Sequence, residues 1–277
     1  MRPPPTSPTR VRARHPSGWF AGPLPRVLAH RGLGIDVPEN TEAAFEKAVG
    51  AGALYLETDV NATADGIAVA AHDPTLDRVA GRPERVADLT LEQLRLVDLG
   101  SGQRFSTLAE LLLALPTSRF NIDIKSADAA APAAAAIEAA GARDRVLITS
   151  FSTRRRRSAS VLLPGVATSA SAAEFVPALI AAKLGLVPLV RLFLRRVDAV
   201  QIPRTIYGIE TTTARTVRRL HAAGVEVHVW TIDDVDEARL LFERGVDGVV
   251  TDRVDLMLPV AAEFRLTVAV AAALGDP

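Results

Sequence analysis

The chain has 277 residues, of which 48% are hydrophobic and 23% are charged, and its formal net charge is zero. This length and composition allow a sizeable core in one large domain or two small ones. Zero net charge argues against nucleic acid or an anionic membrane held by bulk electrostatics. The absence of cysteine excludes disulfides, thiolate zinc sites and cysteine nucleophiles.

The first 24 residues are rich in proline and arginine and contain no apolar run. A secretory signal needs a hydrophobic centre of several residues, so no signal peptide is expected here. We interpret residues 1–24 as a disordered tail whose deletion leaves stability nearly unchanged, and we place the folded domain at residues 25–277. With no transmembrane segment predicted, the expected location is the cytoplasm.

From residue 26 onward, short apolar runs alternate with helical patterns. Strands are predicted at residues 27–31, 54–60, 120–125, 146–150, 166–169, 197–202, 225–232 and 248–251. Eight strands alternating with helices predict an α/β fold, a closed (β/α)₈ barrel of parallel strands. A turn signal at residues 63–66 predicts that residues 67–72 fold back as a short hairpin after strand two.

Residues 175–197 are apolar enough to be considered for a membrane. Lys183, Pro188 and Arg191 interrupt this segment, and its uninterrupted stretches are shorter than a transmembrane span. We predict a packed helix pair after strand five and no stable membrane insertion. Peripheral contact with a membrane is the alternative.

Polar side chains stand at the ends of the first predicted strands and of the hairpin. Because the carboxyl ends of barrel strands meet on one rim, these side chains are expected to lie close together. The expected cluster contains His30, Arg31, Glu57, Asp59, His72, Asp123 and Lys125.

The carboxylates of this cluster predict a cation site. Glu57 and Asp59 are two residues apart, which places both side chains on one face of a strand. Two buried carboxylates repel each other unless a cation lies between them. With Asp123, they could hold one hard divalent cation, Mg²⁺ or Ca²⁺. The alternative, solvated charges on an edge strand, fits poorly with the apolar run before Glu57.

The remaining members of the cluster suit a phosphate ester. A cation together with Arg31 and Lys125 would offset the charge of phosphoryl oxygens, and His30 and His72 could exchange protons with nucleophile and leaving group. A single histidine at a strand end can equally be a hydrogen-bonded core residue.

Two other histidines and one tryptophan lie outside this cluster. His228, in an alternating strand, and His221, on a helix, are given structural roles. Trp230 either lines the mouth of the barrel or belongs to its core.

A series of ordered motifs resembles the glycerophosphodiester phosphodiesterases. The motifs are His30-Arg31-Gly32, Pro38-Glu39-Asn40-Thr41, Glu57-Thr58-Asp59-Val60, Thr63-Ala64-Asp65-Gly66, His72-Asp73, Asn121-Ile122-Asp123-Ile124-Lys125, Ser150-Phe151, Val229-Trp230-Thr231 and Gly248-Val249-Val250-Thr251-Asp252. The resemblance extends in order over roughly residues 26–257. One such motif would be a weak signal, whereas this many in register is specific.

The resemblance implies a TIM barrel with one divalent metal ion and a pair of acid/base histidines. The metal ligands would be Glu57, Asp59 and Asp123; the catalytic residues His30 and His72; and the substrate-binding residues Arg31, Glu39, Lys125 and Trp230. One departure is Asp123, because the family commonly has glutamate there. The shorter side chain is expected to shift the metal or to admit another water.

The function that the resemblance implies is metal-dependent hydrolysis of a small glycerophosphodiester to glycerol 3-phosphate and an alcohol. Lysophospholipase D activity on lipid diesters is an alternative because of the apolar 175–197 segment. A non-catalytic phosphodiester-binding barrel is a second alternative, which the full set of histidines and acids disfavours. The related sphingomyelinase D-like toxins share those groups, but the motif at residues 38–41 favours the phosphodiesterases.

Overall fold

The computed structural model describes residues 17–273. Its strands are β1 Arg26–His30, β2 Tyr55–Ala62, β3 Ala68–Ala70, β4 Arg119–Ile124, β5 Val146–Thr149, β6 Ala167–Thr168, β7 Ala199–Pro203, β8 Thr205–Ile206, β9 Ile209–Glu210, β10 Glu226–Trp230 and β11 Gly248–Thr251. Its α-helices are α1 Glu42–Gly50, α2 Asp77–Ala80, α3 Leu91–Arg95, α4 Leu108–Ala114, α5 Ala130–Ala139, α6 Thr153–Leu162, α7 Ala172–Leu184, α8 Val187–Phe193, α9 Ala214–His221, α10 Val235–Glu243 and α11 Val254–Ala273.

Eight parallel strands form a nearly closed barrel surrounded by helices. Their order is β6-β5-β4-β2-β1-β11-β10-β7. A parallel bridge between Ser169 and Ala199 joins the two ends of this order, and Ala170 N–H donates to the carbonyl of Ala199 at 2.9 Å. The predicted fold class is confirmed. The predicted hairpin is also present, with β3 antiparallel to β2, whereas the β8–β9 hairpin was not predicted.

Polar caps begin several of the helices that cover the barrel. Thr41 accepts a hydrogen bond from the Ala44 N–H at the start of α1. Thr107 and Glu110 form a capping box at the start of α4, and Asp234 caps α10. Such caps satisfy N–H groups that have no partner within the helix. They define the residue at which each of these helices begins.

Alternate residues of each strand point into the barrel. On β4, Ile122 and Ile124 are fully buried in the core beneath the helices. The intervening Asn121 and Asp123 point the other way and line the cavity at the mouth of the barrel. This alternation follows from the two-residue period of a strand and confirms the predicted faces of this strand. It also explains how one strand supplies both core and site.

The predicted tail at residues 1–24 is wrong for its described part. Residues 1–16 lie outside the described residues, but Gly18–Ala21 form a 3₁₀ helix and Trp19 is fully buried. Trp19 Nε1 donates to the carbonyl of Phe120 at 3.1 Å, at the amino-terminal end of the barrel. The sequence did not predict this contact, because a single tryptophan in a proline- and arginine-rich stretch produces no periodic apolar pattern. The folded domain therefore includes residues 17–24.

A buried ion pair lies beside Trp19. Arg26 Nε donates to Glu226 Oε2 at 2.9 Å, and His228 Nε2 lies 3.0 Å from the same oxygen. Burial opposes ionisation of Glu226, but the hydrogen bonds from Arg26 and His228 outweigh it and lower its pKa to about 2. His228 is completely buried, which confirms its structural role.

This ion pair gives the first expected result. Because the pKa of Glu226 is lowered in the folded state, its contribution is present above pH 4.5 and lost as pH falls toward about 2. A drop from 4.5 to about 2 corresponds to about 3 kcal/mol of unfolding free energy. Glu226→Gln should cost about 3–5 kcal/mol at pH 7, because it leaves Arg26 buried without its counter-charge.

Urea unfolding at pH 7 and at pH 3 measures both effects. Glu237→Gln, which removes the partner of Arg204 in an exposed pair, is the matched control and should cost less than about 1 kcal/mol. Equal losses in Glu226→Gln and Glu237→Gln would contradict the stabilising role of the buried pair.

Helix α11 is the one described helix long and apolar enough to cross a membrane by length and composition alone. Only 17% of its most apolar window is buried, and Leu266 and Val270 are exposed. Its first half packs on the barrel through the buried side chains of Met257 and Val260. The sequence-based prediction did not consider this helix for a span. The absence of a transmembrane segment and the cytoplasmic location both stay predictions.

Candidate active site

A cavity of about 320 Å³ opens at the carboxyl ends of the barrel strands. Eight of the nine predicted site residues line it: His30, Arg31, Glu57, Asp59, His72, Asp123, Lys125 and Trp230. Glu39 is the exception. The cavity is within the usual size range for small-ligand sites, and its polar groups converge from several strands.

Strand register brings the acidic residues together. His30 on β1 pairs with Glu57 on β2, and Asp59 on β2 pairs with Asp123 on β4. The register sets these residues side by side, and because side chains alternate along a strand, paired residues point to the same side of the sheet. The sequence-based prediction of one shared rim is therefore matched by the geometry.

Asp59 is ionised between two cations. Lys125 Nζ lies 2.8 Å from Asp59 Oδ1, and Arg31 Nε lies 2.8 Å from Asp59 Oδ2. Burial opposes this ionisation, but the charges of Lys125 and Arg31 outweigh it and lower the pKa of Asp59. Burial lowers the pKa of both cations, but Asp59 outweighs it for Arg31, and Asp123 with Asp59 outweighs it for Lys125, so both pKa values are raised. The centre of the cavity therefore carries fixed charges of both signs.

The other two carboxylates are harder to ionise. Burial, with the neighbouring charge of Asp59, raises the pKa of Glu57 to about 8. Burial also raises the pKa of Asp123, although Lys125 Nζ lies 2.6 Å from its Oδ2. Asp123 Oδ1 is buried and has no hydrogen-bond partner among the described residues. Additional positive charge at this point would favour ionisation of both groups.

These carboxylates fit a hard cation by their chemistry. In residues 17–273 no group of three histidine or acidic side chains is already arranged around a metal position, and Lys125 Nζ lies between Asp59 and Asp123. The three side chains nevertheless offer buried carboxylate oxygens, one of which has no hydrogen-bond partner among the described residues. Such a set suits Mg²⁺ or Ca²⁺ and lacks the sulfur ligands of other metal sites.

His30 is held by an acid from the last barrel strand. Its Nδ1 lies 2.7 Å from Asp252 Oδ1, and its Nε2 lies 3.9 Å from Glu57 Oε2. Burial would lower the pKa of His30, but the hydrogen bond with Asp252 and the charge of Glu57 outweigh burial and raise it. Asp252 is absent from the predicted site residues. It follows the end of β11, the same signal that identified the other members.

His72 comes from the hairpin and not from a barrel strand. Its Nδ1 lies 2.7 Å from Asp73 Oδ1, and Arg78 Nε donates to Asp73 Oδ2 at 2.6 Å. Asn61 Nδ2 donates to the carbonyl of Ala71 at 2.9 Å, which fixes the exit of the hairpin beside β2. Each histidine therefore has one ring nitrogen held by an aspartate, which leaves the other nitrogen available to a ligand.

Glu39 does not line the cavity, contrary to the predicted substrate contact. Its Oε1 accepts hydrogen bonds from Arg31 Nη1 at 2.9 Å and from Arg78 Nη2 at 2.6 Å. It lies instead in an adjoining pocket of about 240 Å³. Glu39 therefore links the arginine of the site to the arginine that holds Asp73, and acts on the cavity through Arg31.

The segment after β1 adopts an unusual backbone to aim Arg31. Arg31 has φ of +57°, in the left-handed region that a non-glycine residue seldom occupies. In this conformation its N–H donates to the Glu57 carbonyl at 3.0 Å. Gly32 follows with φ of +87°, and a Cβ there would lie 2.6 Å from the backbone of Ala44. Only glycine fits this close approach of the loop to α1.

The comparisons with known proteins agree with this geometry. The Glycerophosphoryl diester phosphodiesterase family matches residues 30–256. A probable glycerophosphodiester phosphodiesterase 2 of Mycobacterium tuberculosis is 43% identical over 83% of this chain and 88% of its own length. The chain belongs to the glycerophosphodiester phosphodiesterase family. A second relative, from Caldanaerobacter subterraneus, is 31% identical over 82% of the chain and 93% of its own length. The chain is therefore an enzyme, a phosphoric diester hydrolase.

Solved structures of phosphodiesterases have the same fold. A glycerophosphodiester phosphodiesterase from Agrobacterium tumefaciens has a TM-score of 0.71 and 25% identity, over 86% of this chain and 99% of its own. An Oleispira antarctica phosphodiesterase, solved with the product sn-glycerol-3-phosphate, has a TM-score of 0.70 and 25% identity, over 86% and 96% of the two chains. These similarities extend over nearly the whole barrel.

Apolar side chains of this phosphodiesterase form one wall of the cavity. The rings of Trp230 and Phe151 are 5.8 Å apart in an edge-to-face arrangement, and Phe175 and Val176 at the start of α7 complete the wall. Of the two positions considered for Trp230, the structure shows the one at the mouth of the barrel. The cavity therefore has a charged side on β1, β2 and β4 and an apolar side toward α7.

Two amides also belong to the site, and neither was predicted. Asn40 has φ of +56°, donates to Asp59 Oδ2 at 3.3 Å and accepts from Thr58 Oγ1 at 2.8 Å. Gln201 Nε2 donates to Asn121 Oδ1 at 2.8 Å on the floor of the cavity. Both are positioning residues for carboxylates or strands of the site. Asn40 lies within the quoted motif at residues 38–41, so its position was signalled although its role was not.

Proposed function

We propose that this glycerophosphodiester phosphodiesterase uses one divalent cation and two histidines to release glycerol 3-phosphate and an alcohol. The observation that carries the proposal is that both histidines, three carboxylates and two cations face one cavity. The product bound to the Oleispira antarctica relative supports a glycerophosphodiester as substrate. Lysophospholipase D activity remains the alternative, supported by the apolar wall of the cavity.

In the proposed mechanism, Arg31 and Lys125 bind the phosphoryl oxygens. Glu57, Asp59 and Asp123 would hold the cation, which would offset negative charge on phosphorus-bound oxygens. The glycerol hydroxyl of the substrate attacks phosphorus, one histidine takes its proton, and the other protonates the leaving alcohol. Water then opens the cyclic phosphate with the histidine roles reversed.

The two aspartates fit the histidines for this task. Asp252 and Asp73 each bind the Nδ1 side of one imidazole, which fixes the orientation of the ring. Neighbouring carboxylates raise the pKa of Arg31 and of Lys125 against the effect of burial, so both side chains stay charged and can each contact a phosphodiester anion.

Release of glycerol 3-phosphate from glycerophosphocholine, with and without chelator, tests the proposal. We expect steady release that chelator abolishes and that added Mg²⁺ or Ca²⁺ restores. Full turnover in chelator, with no metal detectable in the protein, would rule out the cation while leaving the substrate assignment intact. Failure to hydrolyse any glycerophosphodiester in either metal would reject the substrate assignment.

The aspartate at position 123 allows a sharper test of the cation site. Asp123→Glu keeps a carboxylate and should be the mildest change, with an altered preference between Mg²⁺ and Ca²⁺. Asp123→Asn keeps the size and removes the charge. Substitution of groups that only support a metal ligand typically lowers metal affinity about 10–100-fold. Asp123→Asn, which alters the ligand itself, should therefore weaken cation binding by at least about 10-fold. Calorimetric titration of each metal distinguishes the two variants, and equal affinities would contradict the ligand role.

A further inference from the structure

Helices α7 and α8 present an exposed apolar surface to solvent. Val176, Ile180 and Leu184 are four residues apart and form one row on α7, and they are 44%, 57% and 68% exposed. On the adjoining turn and α8, the exposed apolar side chains are Leu186, Leu189, Leu192 and Phe193. We name these seven residues the α7–α8 face. Contiguous apolar patches of this kind mark interaction sites on folded proteins.

The α7–α8 face is part of a fixed structure. Phe175, Ala178 and Val190, on the opposite sides of these helices, are buried in the main core. Arg219 on α9 donates to the Ala182 carbonyl at 2.5 Å and so ties the end of α7 to its neighbour. The exposure of the apolar row therefore does not result from a loosely packed helix pair. The packing of both helices on the core holds this row in place.

The charges around the α7–α8 face are basic. Lys183, Arg191, Arg195 and Arg196 are all exposed, and in the described part of the chain no ion pair engages Arg195 or Arg196. The lone acid of these helices is Glu174, whose side chain is only 15% exposed and is paired with Arg156 at 2.7 Å. The zero net charge of the whole chain thus conceals a local excess of positive charge. Apolar side chains bordered by lysine and arginine match the surface of an anionic bilayer.

The α7–α8 face is continuous with the mouth of the catalytic cavity. Val176 is part of the face and also lines the cavity, with Phe175 beside it. The β8–β9 hairpin adjoins the same side, because Lys183 Nζ donates to the Glu210 carbonyl. At the tip of that hairpin, Tyr207 is fully exposed and Ile209 is 57% exposed. A partner that covered the α7–α8 face would therefore lie next to the mouth of the catalytic cavity.

We propose that the α7–α8 face docks the enzyme peripherally on an anionic lipid bilayer. A second copy of the chain is a poorer partner, because two-fold pairing through this face would bring the basic residues at its border toward one another. The proposal does not rest on the cation or on the histidines. Docking on a bilayer is consistent with the proposed substrate, because a glycerophosphodiester is the polar part of a phospholipid after its acyl chains are removed.

Cosedimentation of the full chain with vesicles tests the proposal. We expect binding to phosphatidylglycerol–phosphatidylcholine vesicles, weak binding to pure phosphatidylcholine, and weaker binding at high salt. Leu192→Glu should reduce binding by about 10-fold or more, because it places a negative charge in the apolar face. The double variant Arg195→Gln with Arg196→Gln should also reduce binding by about 10-fold or more, since each basic residue near an anionic bilayer contributes about fivefold to the binding constant.

Matched controls lie on other parts of the barrel. Leu113 on α4 is 63% exposed, so Leu113→Glu makes the same change outside the α7–α8 face. Arg85→Gln removes an exposed positive charge from the segment after the β2–β3 hairpin. Both should leave vesicle binding unchanged. All of these variants should hydrolyse glycerophosphocholine at the wild-type rate, because none of the altered residues lines the cavity.

Three outcomes would overturn the proposal. The first is equal loss of binding in Leu192→Glu and Leu113→Glu, and the second is no binding to anionic vesicles at all. The third is a dimer in analytical ultracentrifugation that Leu192→Glu dissociates, without vesicle binding, which would make the face an interface between copies. None of these outcomes depends on turnover, so failure of docking and failure of the proposed hydrolysis are distinguishable.

Discussion

His30→Ala and His72→Ala are each expected to lower turnover of glycerophosphocholine by about 10²–10⁴-fold, the usual range for general acid–base catalysis. Each imidazole lines the cavity and is oriented by an aspartate at 2.7 Å. In the proposed mechanism each serves as acid in one half-reaction and as base in the other. Both variants should keep the wild-type fold, because these side chains are partly exposed and outside the main core.

The double variant distinguishes a pair from two independent groups. Residues that act as a unit are non-additive, so His30→Ala with His72→Ala should lose little more activity than either single variant. Steady-state kinetics with circular dichroism as a folding control measure this. The wild-type pH profile should be bell-shaped, and a substrate without the neighbouring hydroxyl should be cleaved poorly. Near-wild-type turnover in either single variant would reject the paired-histidine mechanism, whatever the fate of the cation site.

Trp19→Ala should lower the free energy of unfolding by about 3–5 kcal/mol, the usual cost of removing a fully buried tryptophan. The ring contacts Tyr55 at a centroid distance of 5.0 Å and lies 5.6 Å from the Arg26 guanidinium carbon. Its loss would leave a cavity beside the Arg26–Glu226 ion pair. Deletion of residues 1–24 should destabilise the protein to a similar extent, in contrast to the original expectation.

Two control variants separate the tryptophan from the rest of the segment. Trp19→Phe keeps most of the apolar volume and removes the hydrogen bond to Phe120, so it should cost clearly less than alanine. Deletion of residues 1–16 keeps Trp19, and the prediction for it is unchanged stability. Chemical denaturation of the wild type and the four variants gives the comparison. Equal midpoints for the wild type and Trp19→Ala would show that residues 17–24 do not anchor the barrel.

The barrel was predictable because each strand combines a short apolar run with flanking helical patterns. β11 begins and ends at the residues that the sequence predicts, Gly248 and Thr251. β6 is only two residues long, yet its apolar environment was enough to place it. The segment at residues 17–24 was not predictable in this way. Its structure depends on Trp19 entering a space that β1, β2, β4 and β10 form together, and local sequence does not describe that space.

The site was predictable where its residues follow strand ends and not where it depends on distant pairing. His30 is the last residue of β1 and Asp123 the last but one of β4, and the cavity brings them together with Glu57, which lies earlier in its strand than the sequence predicts. Asp252 is 222 residues from its partner His30, so nothing local reveals their hydrogen bond. Glu39 shows the opposite case. Its motif marks it as part of the site, but only the structure shows that it engages two arginines.

Trp19 has a consequence for the traffic of molecules through the enzyme. The residues that pack around it, with Arg26 and Glu226, close the amino-terminal end of the barrel. Among residues 17–273, the catalytic cavity therefore opens at the opposite, carboxyl-terminal end of the barrel. Substrate and products of the proposed hydrolysis would share this opening, so departure of the anionic product would be part of each turnover.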